Sequence, residues 1–333
     1  MIPKTAPLQW VAATALVLAF LAGQSLGAAQ AATAPTLATL VPAPPAASPL
    51  VPQEIRVGAM SRRFLAYVPP SLQPGSPLLI AFHPSGSSGS GMRRICGDLL
   101  ERLARQRRFA VAYPDGFEGH FDDLRKKANY SARRLKIDDV GFTRAIVSTM
   151  ARGCSIDPGR VYALGYSNGG AMVLRLALEA PDVVAGVIAI SANLPTADNI
   201  DCPIVNGRHT AIVLIEGTAD PINPYLGGRV TIFGLGDRGP VLSAQKSAEW
   251  FAGRYGLQPD PHPRPVVKQG SLSATWQDWG TDRPLVRLVT IQGGGHTVPR
   301  APRQGVTILL GRAFRSDALI EGAWDVVSGS GAQ

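Results

Sequence analysis

The sequence predicts an α/β protein in which helices cover both faces of a mostly parallel central sheet, forming a single catalytic domain. Three observations carry that reading. Short apolar runs such as "PLLIAF", "FAVAYP" and "TAIVLIEG" show no polar alternation, as expected of strands buried on both faces. Between them lie amphipathic stretches of helical spacing, which parallel strand connections require. Of the 333 residues, 45% are hydrophobic and 17% charged, enough apolar material for one large core.

The N-terminal segment stands apart from that domain. Lys4 precedes an apolar run from Trp10 to Ala22, and Ala29-Gln30-Ala31 has the small-x-small form of a signal-peptidase site. The run is shorter than the roughly 20 residues that span a bilayer. Residues 1–31 are therefore expected to be a cleaved signal, leaving a secreted or periplasmic protein without a stable membrane anchor. Residues 32–52 are rich in Pro and Ala and uncharged, the composition of an extended linker. The catalytic domain is expected over 53–333.

Within it, "EIRVGAMSRRFLAYVPP" reads as two short strands and "PLLIAF" as a buried one. "GMRRICGDLLERLARQRR" has helical spacing through Ile95, Leu99, Leu100 and Leu103. "FAVAYP" is a strand and "IDDVGFTRAIVSTMAR" a helix. "RVYALG" is a strand followed by the helix "AMVLRLALEA". "VVAGVIAISA" and "TAIVLIEG" are strands, "SAQKSAEWFAGRYG" a helix, and "SLSATWQDW" an alternating edge-type strand. "PLVRLVTIQ" is the last long strand and "DALIEGAWDVV" the terminal helix.

Net charge is +9, and twelve Lys or Arg against six acids fall between Arg93 and Lys136. That run reads as a solvated basic face. No zinc-finger spacing or aromatic-interleaved basic motif points to nucleic acid. Cys96, Cys154 and Cys202 fit no metal-binding spacing. After export a disulfide could form. Cys154–Cys202 is the favoured pair, because both precede strands and so approach the same end of the sheet.

Ligands of such sheets sit at the carboxyl ends of the strands. After "RVYALG" comes Gly165-Tyr166-Ser167-Asn168-Gly169, a G-x-S-x-G pattern between a strand and a helix. A tight turn there leaves no room for a Cβ at either flanking position, Gly165 or Gly169, and exposes the Ser167 hydroxyl. A serine nucleophile needs a base. Of the five histidines, only His296 both follows a strand and comes after Ser167, as the Ser–acid–His order requires. His83 precedes the serine, His120 lies in a polar loop, His209 precedes its strand, and His262 sits in a proline-rich turn. Asp220 in "GTADPINPY" is preferred over Glu216 as the acid, since Glu216 directly ends its strand. The oxyanion hole is expected from the N–H of Asn168 and that of Ser85, with Gly86 second. Pro84 has no N–H to offer.

The segments "AFHPSG", "AYPDG", "FDDLR", "IDDVGF", "IDPGRVYALGYSNGGAM", "LEAPD", "GTADPINPY" and "GGGHTVP" span roughly residues 60–326. In them the chain resembles the polyhydroxybutyrate depolymerase-like and feruloyl esterase branch of the α/β-hydrolase superfamily. The resemblance implies the α/β-hydrolase fold and carboxylester hydrolysis by Ser167, Asp220 and His296, with no metal or organic cofactor. The chain departs from the pattern where the family usually carries His-Gly (here His83-Pro84), Trp-Asn-Asp (Phe121-Asp122-Asp123) and Trp (Val298). These positions are expected near the substrate mouth.

The expected substrate is an ester, polymeric or small: a feruloyl or acetyl ester of plant polysaccharide, or a short hydroxyalkanoate ester. A polyester depolymerase is the alternative of the same class. A serine peptidase and a non-catalytic binding protein on a hydrolase scaffold are alternatives of other classes.

Overall fold

The computed structural model describes residues 50–262, 266–280, 285–299 and 307–330. The expected signal segment and almost all of the expected linker lie outside them. The sheet begins at Val51, two residues inside the expected linker: β1 (Val51–Val57) pairs in antiparallel fashion with β2 (Met60–Tyr67). Pro52 is accommodated because β1 is an edge strand.

Six strands form the parallel centre, in the order β4 (Ala110–Pro114), β3 (Leu78–Phe82), β5 (Val161–Tyr166), β6 (Gly186–Ile190), β7 (Ala211–Gly217) and β12 (Val286–Gln292). Antiparallel strands flank them, β2 and β1 on one side, β11 (Leu272–Trp279) and β10 (Val267–Gln269) on the other. A two-stranded ribbon, β8 (Gly228–Arg229) and β9 (Pro240–Val241), stands outside this sheet.

Pleating divides the core. Leu78, Ile80 and Phe82 face one layer, and Leu79 and Ala81 the other. The first layer packs under α4 (Asp139–Cys154), α5 (Asn168–Glu179) and α6 (Ala244–Arg254). The second packs under α1 (Gly89–Cys96), α2 (Leu99–Arg107) and α8 (Ala318–Ser328). Short α3 (Ser131–Arg134) and α7 (Thr307–Leu310) complete the helices described. None of the helices described is long and apolar enough to cross a membrane.

Two expectations need correction. The single helix expected from Gly91 to Arg108 is broken into α1 and α2. Gly97 caps α1 at φ 62°, a left-handed conformation that glycine adopts at little cost, and Leu99 restarts the helical face. The Cys154–Cys202 disulfide is absent, and all three cysteines are free thiols. The Cys154 thiol donates to the Met150 carbonyl at the end of α4. The segment carrying Cys202 instead folds back along α5, with Val205 N–H on the Leu178 carbonyl. Cys202 comes to lie near Arg175 and Glu179, and burial pushes its thiol up to about 12.

The basic run is only partly solvated. Arg125 is buried against Asp123, while Arg93, Arg102, Arg107 and Arg133 pair with Glu101, Asp317, Asp325 and Asp122. Arg94, Lys126, Lys127, Arg134 and Lys136 remain exposed.

His83, dismissed as a base from chain order, is a fully buried clamp between two strand exits. Its Nε2 accepts the Gly116 N–H at 2.8 Å, so its proton sits on Nδ1, which donates to the Pro84 carbonyl at 2.8 Å. Burial, outweighing that carbonyl bond, lowers its pKa from 6.5 to about 4. A neutral imidazole is thus built into the fold, and unfolding frees it to take up a proton at any pH below 6.5. Its contribution should be complete above pH 6.5 and be lost progressively as pH falls to about 4. The full loss would be on the order of 3 kcal/mol. Thermal melts between pH 7 and pH 4 should show a shallower fall for His83→Gln than for the wild-type protein; parallel curves would contradict the assignment.

Candidate active site

Three strand exits converge at the carboxyl edge of the sheet. At the end of β5, Ser167 has φ 57° and ψ −113°, a strained conformation for a residue with a side chain. A Cβ on Gly165 would stand 2.0 Å from the Gly169 carbonyl oxygen, and one on Gly169 would stand 2.3 Å from that of Phe82. Both flanking glycines are required by close backbone approach, as expected from the pattern. Ser167 donates its N–H to the Ile190 carbonyl and accepts that of Ala171, so α5 starts directly from it.

The exits of β7 and β12 are zipped together. Thr218 N–H reaches the Ile291 carbonyl, Ala219 N–H the Gly294 carbonyl, and Gly293 N–H the Thr218 hydroxyl. On the far side, Gly295 and His296 donate their N–H groups to the Arg312 and Leu310 carbonyls. The Tyr166 hydroxyl donates to the His296 carbonyl at 2.6 Å. Held in this way, His296 places Nδ1 2.7 Å from Asp220 Oδ2 and Nε2 2.9 Å from Ser167 Oγ. The Asp220 carboxylate and the His296 ring are buried, whereas Ser167 stays partly accessible.

Asp220 is also the turn-former that an Asp before proline suggests. Its Oδ1 accepts the N–H groups of Ile222 and Asn223 at 2.8 Å each, while Oδ2 faces the imidazole. Glu216 points elsewhere. It is fully buried, accepts the Ala192 N–H and the Asn223 side-chain amide, and is pushed well above the usual carboxylate range by that burial.

At the expected oxyanion hole, neither Asn168 N–H nor Ser85 N–H is given to an acceptor among the described residues. Gly86, the second choice, is committed, with its N–H on the Gly119 carbonyl at 2.9 Å. The loop leading into α1 is tied to the β4 exit by Gly89 N–H on Asp115 Oδ1.

A buried network went unread in the sequence. The Asn168 side chain exchanges hydrogen bonds with the Phe121 backbone, through its Oδ1 at 2.9 Å and its Nδ2 at 3.0 Å. The same Nδ2 group reaches Asp123 Oδ2 at 2.7 Å and the Tyr130 hydroxyl at 3.1 Å. Arg125 pairs with Asp123 and holds its carboxyl below the usual range against the opposing effect of burial; the Tyr130 hydroxyl also donates to it. The only advance signal was the clustering of charges in "FDDLR". The residues at the three departures from the family pattern are buried. Phe121, Asp122, Asp123 and Val298 are buried, and Phe121 packs edge-on to Phe82 and against His83.

Comparison with known proteins agrees with this fold. The Phospholipase/Carboxylesterase family model matches residues 121–232. NocK of Nocardia uniformis subsp. tsuyamanensis, provisionally named an esterase, is 31% identical over 265 residues, covering 74% of this chain and 73% of its own. Feruloyl esterase B of Piromyces equi is 28% identical over 66% of this chain, which spans only 39% of that protein. The solved acetyl xylan esterase of Aspergillus awamori superposes with a TM-score of 0.53 at 16% identity, over 75% of this chain and 95% of its own, a likeness of fold. With its parallel sheet, its serine turn and these relatives, the chain belongs to the esterases of the α/β-hydrolase superfamily, enzymes that hydrolyse carboxylic esters.

Proposed function

We propose that this esterase is an exported enzyme that works through an acyl-enzyme on Ser167. The observation that carries the reading is the continuous relay from Asp220 through His296 to an accessible Ser167 on a strained turn. His296 Nε2 takes the hydroxyl proton as Ser167 Oγ attacks the ester carbonyl, and Asp220 steadies the imidazolium. The oxyanion rests on the N–H groups of Asn168 and Ser85. His296 returns its proton to the leaving alcohol. Water then attacks the acyl-enzyme with His296 again as base.

For substrate, we favour a feruloyl or acetyl ester of plant polysaccharide over a short hydroxyalkanoate ester. The likeness to Feruloyl esterase B supports that choice. Export is supported by the N-terminal signal pattern.

Ser167→Ala should fold normally and lose hydrolysis of methyl ferulate and 4-nitrophenyl acetate. A folded variant within roughly tenfold of wild type would remove the serine from the mechanism. Asp220→Asn should lower kcat by about 10⁴-fold, because an asparagine stabilises the wrong imidazole tautomer. Glu216→Gln should cost far less, since Glu216 does not touch His296; the reverse ranking in steady-state kinetics would reassign the acid. Mass spectrometry of protein made in a secreting bacterial host should find a mature N-terminus near Ala32, whereas membrane-bound protein retaining Met1 would refute the signal.

A further inference from the structure

Beside the 121–130 segment, whose Phe121, Asp123 and Tyr130 hold the Asn168 side chain, stands a wall carrying a cation that the relay does not use. Arg238 lies in the turn between β8 and β9, next to the loop that supplies Asp220. Its backbone is pinned on both sides: its N–H donates to the Val230 carbonyl, and its own carbonyl accepts the Asn199 side-chain amide. The guanidinium is half-buried and donates to the Gly236 carbonyl at 3.0 Å. Among the described residues it has no carboxylate partner. The nearby acids are taken: Asp123 by Arg125, Tyr130 and Asn168, and Asp237 by Arg229 and the Gly239 N–H. Asn199, which holds the Arg238 carbonyl, also accepts the N–H groups of Lys126 and Lys127, so Arg238 stands beside the 121–130 segment, within range of the charges of Arg125, Asp123 and His120.

His120 belongs to the same wall. Its ring stacks on Tyr130 with centroids 4.6 Å apart, and its Nδ1 bonds the Glu118 carbonyl, which leaves Nε2 without a partner among the described residues. The wall adjoins the reacting centre by two routes. Tyr130 contacts Asn168, the residue after Ser167, and Gly119 accepts from Gly86 in the expected oxyanion loop. A half-buried guanidinium without a counter-charge has lost hydration that an anion would restore, and its planar donors suit a carboxylate.

We propose that Arg238, with His120 beside it, is an anion subsite of the cleft that selects esters carrying a carboxylate near the scissile bond. The inference rests on the serine-esterase reading and specifies its substrate class: an ester bearing a free acid group, such as a uronate-containing saccharide ester.

The test compares kcat/KM for matched pairs: 4-acetoxybenzoate against 4-acetoxybenzamide, with the acid on the alcohol side, and monoethyl adipate against ethyl hexanoate, with the acid on the acyl side. The wild-type enzyme should prefer the anionic member of at least one pair. That ratio should fall by roughly tenfold to a hundredfold in Arg238→Gln, the worth of one charge-assisted hydrogen bond, with partial retention in Arg238→Lys. Arg94→Gln, which removes an exposed cation on α1, should keep the ratio. A wild-type enzyme without the preference, or a preference that survives in Arg238→Gln, would overturn the subsite. Undiminished hydrolysis of the neutral esters by Ser167→Ala would instead overturn the serine mechanism, so the two failures are distinguishable.

Discussion

The arrangement depends on one constrained turn. Ser167 holds a backbone conformation that costs on the order of 1–3 kcal/mol and persists only where its surroundings leave no alternative. Here the surroundings are backbone. The Phe82 and Gly169 carbonyls approach so closely that glycine is required at Gly165 and Gly169, and β6 accepts the Ser167 N–H. The turn therefore locks β3, β5, β6 and α5 to one another. The side chain of Asn168 extends that lock into the 121–130 segment through Phe121, Asp123 and Tyr130. A buried carboxylate would be costly without partners, and at Asp123 the Arg125 pair with three further hydrogen bonds, from the Arg125 N–H, Tyr130 and Asn168, offsets that cost.

The second requirement is to bring a histidine and a carboxylate to that turn from strands far along the chain. The backbone zipper between the β7 and β12 exits does this, and its closeness explains "GGGHTVP". A Cβ on Gly295 would stand 2.1 Å from the Leu310 carbonyl oxygen, and one on Gly217 would stand 2.4 Å from that of Gly294. Glu216 and Asp220 then divide the electrostatic roles. Glu216 is fully buried without a cation partner among the described residues, and both burial and the neighbouring Asp220 charge favour its neutral form. The negative charge next to His296 is left to Asp220.

Much of this was legible in sequence. Strands and helices followed from periodicity, a local property of neighbouring side chains. The serine turn was legible because its steric demand falls on residues two positions away. His296 and Asp220 followed from chain order and from the rule that ligands sit at strand carboxyl ends. The break at Gly97 was missed because the apolar spacing continues across it, from Ile95 to Leu99 and Leu103. The disulfide expectation failed because sequence distance from a strand does not tell how the intervening segment folds back, here along α5.

By itself, then, the sequence determined the α/β alternation, the glycine-flanked serine and the candidates for acid and base, since each rests on short-range geometry or on order along the chain. Tertiary structure alone decided which carbonyl each buried polar group meets. It made His83 a neutral clamp between strand exits, buried Phe121 and Val298, and tied Asn168 to Asp123 and Tyr130. It also set Arg238 beside the 121–130 segment without a carboxylate partner among the described residues. Those contacts join residues tens of positions apart, and a hydrogen bond depends on separations of tenths of an ångström, which only the packed chain sets.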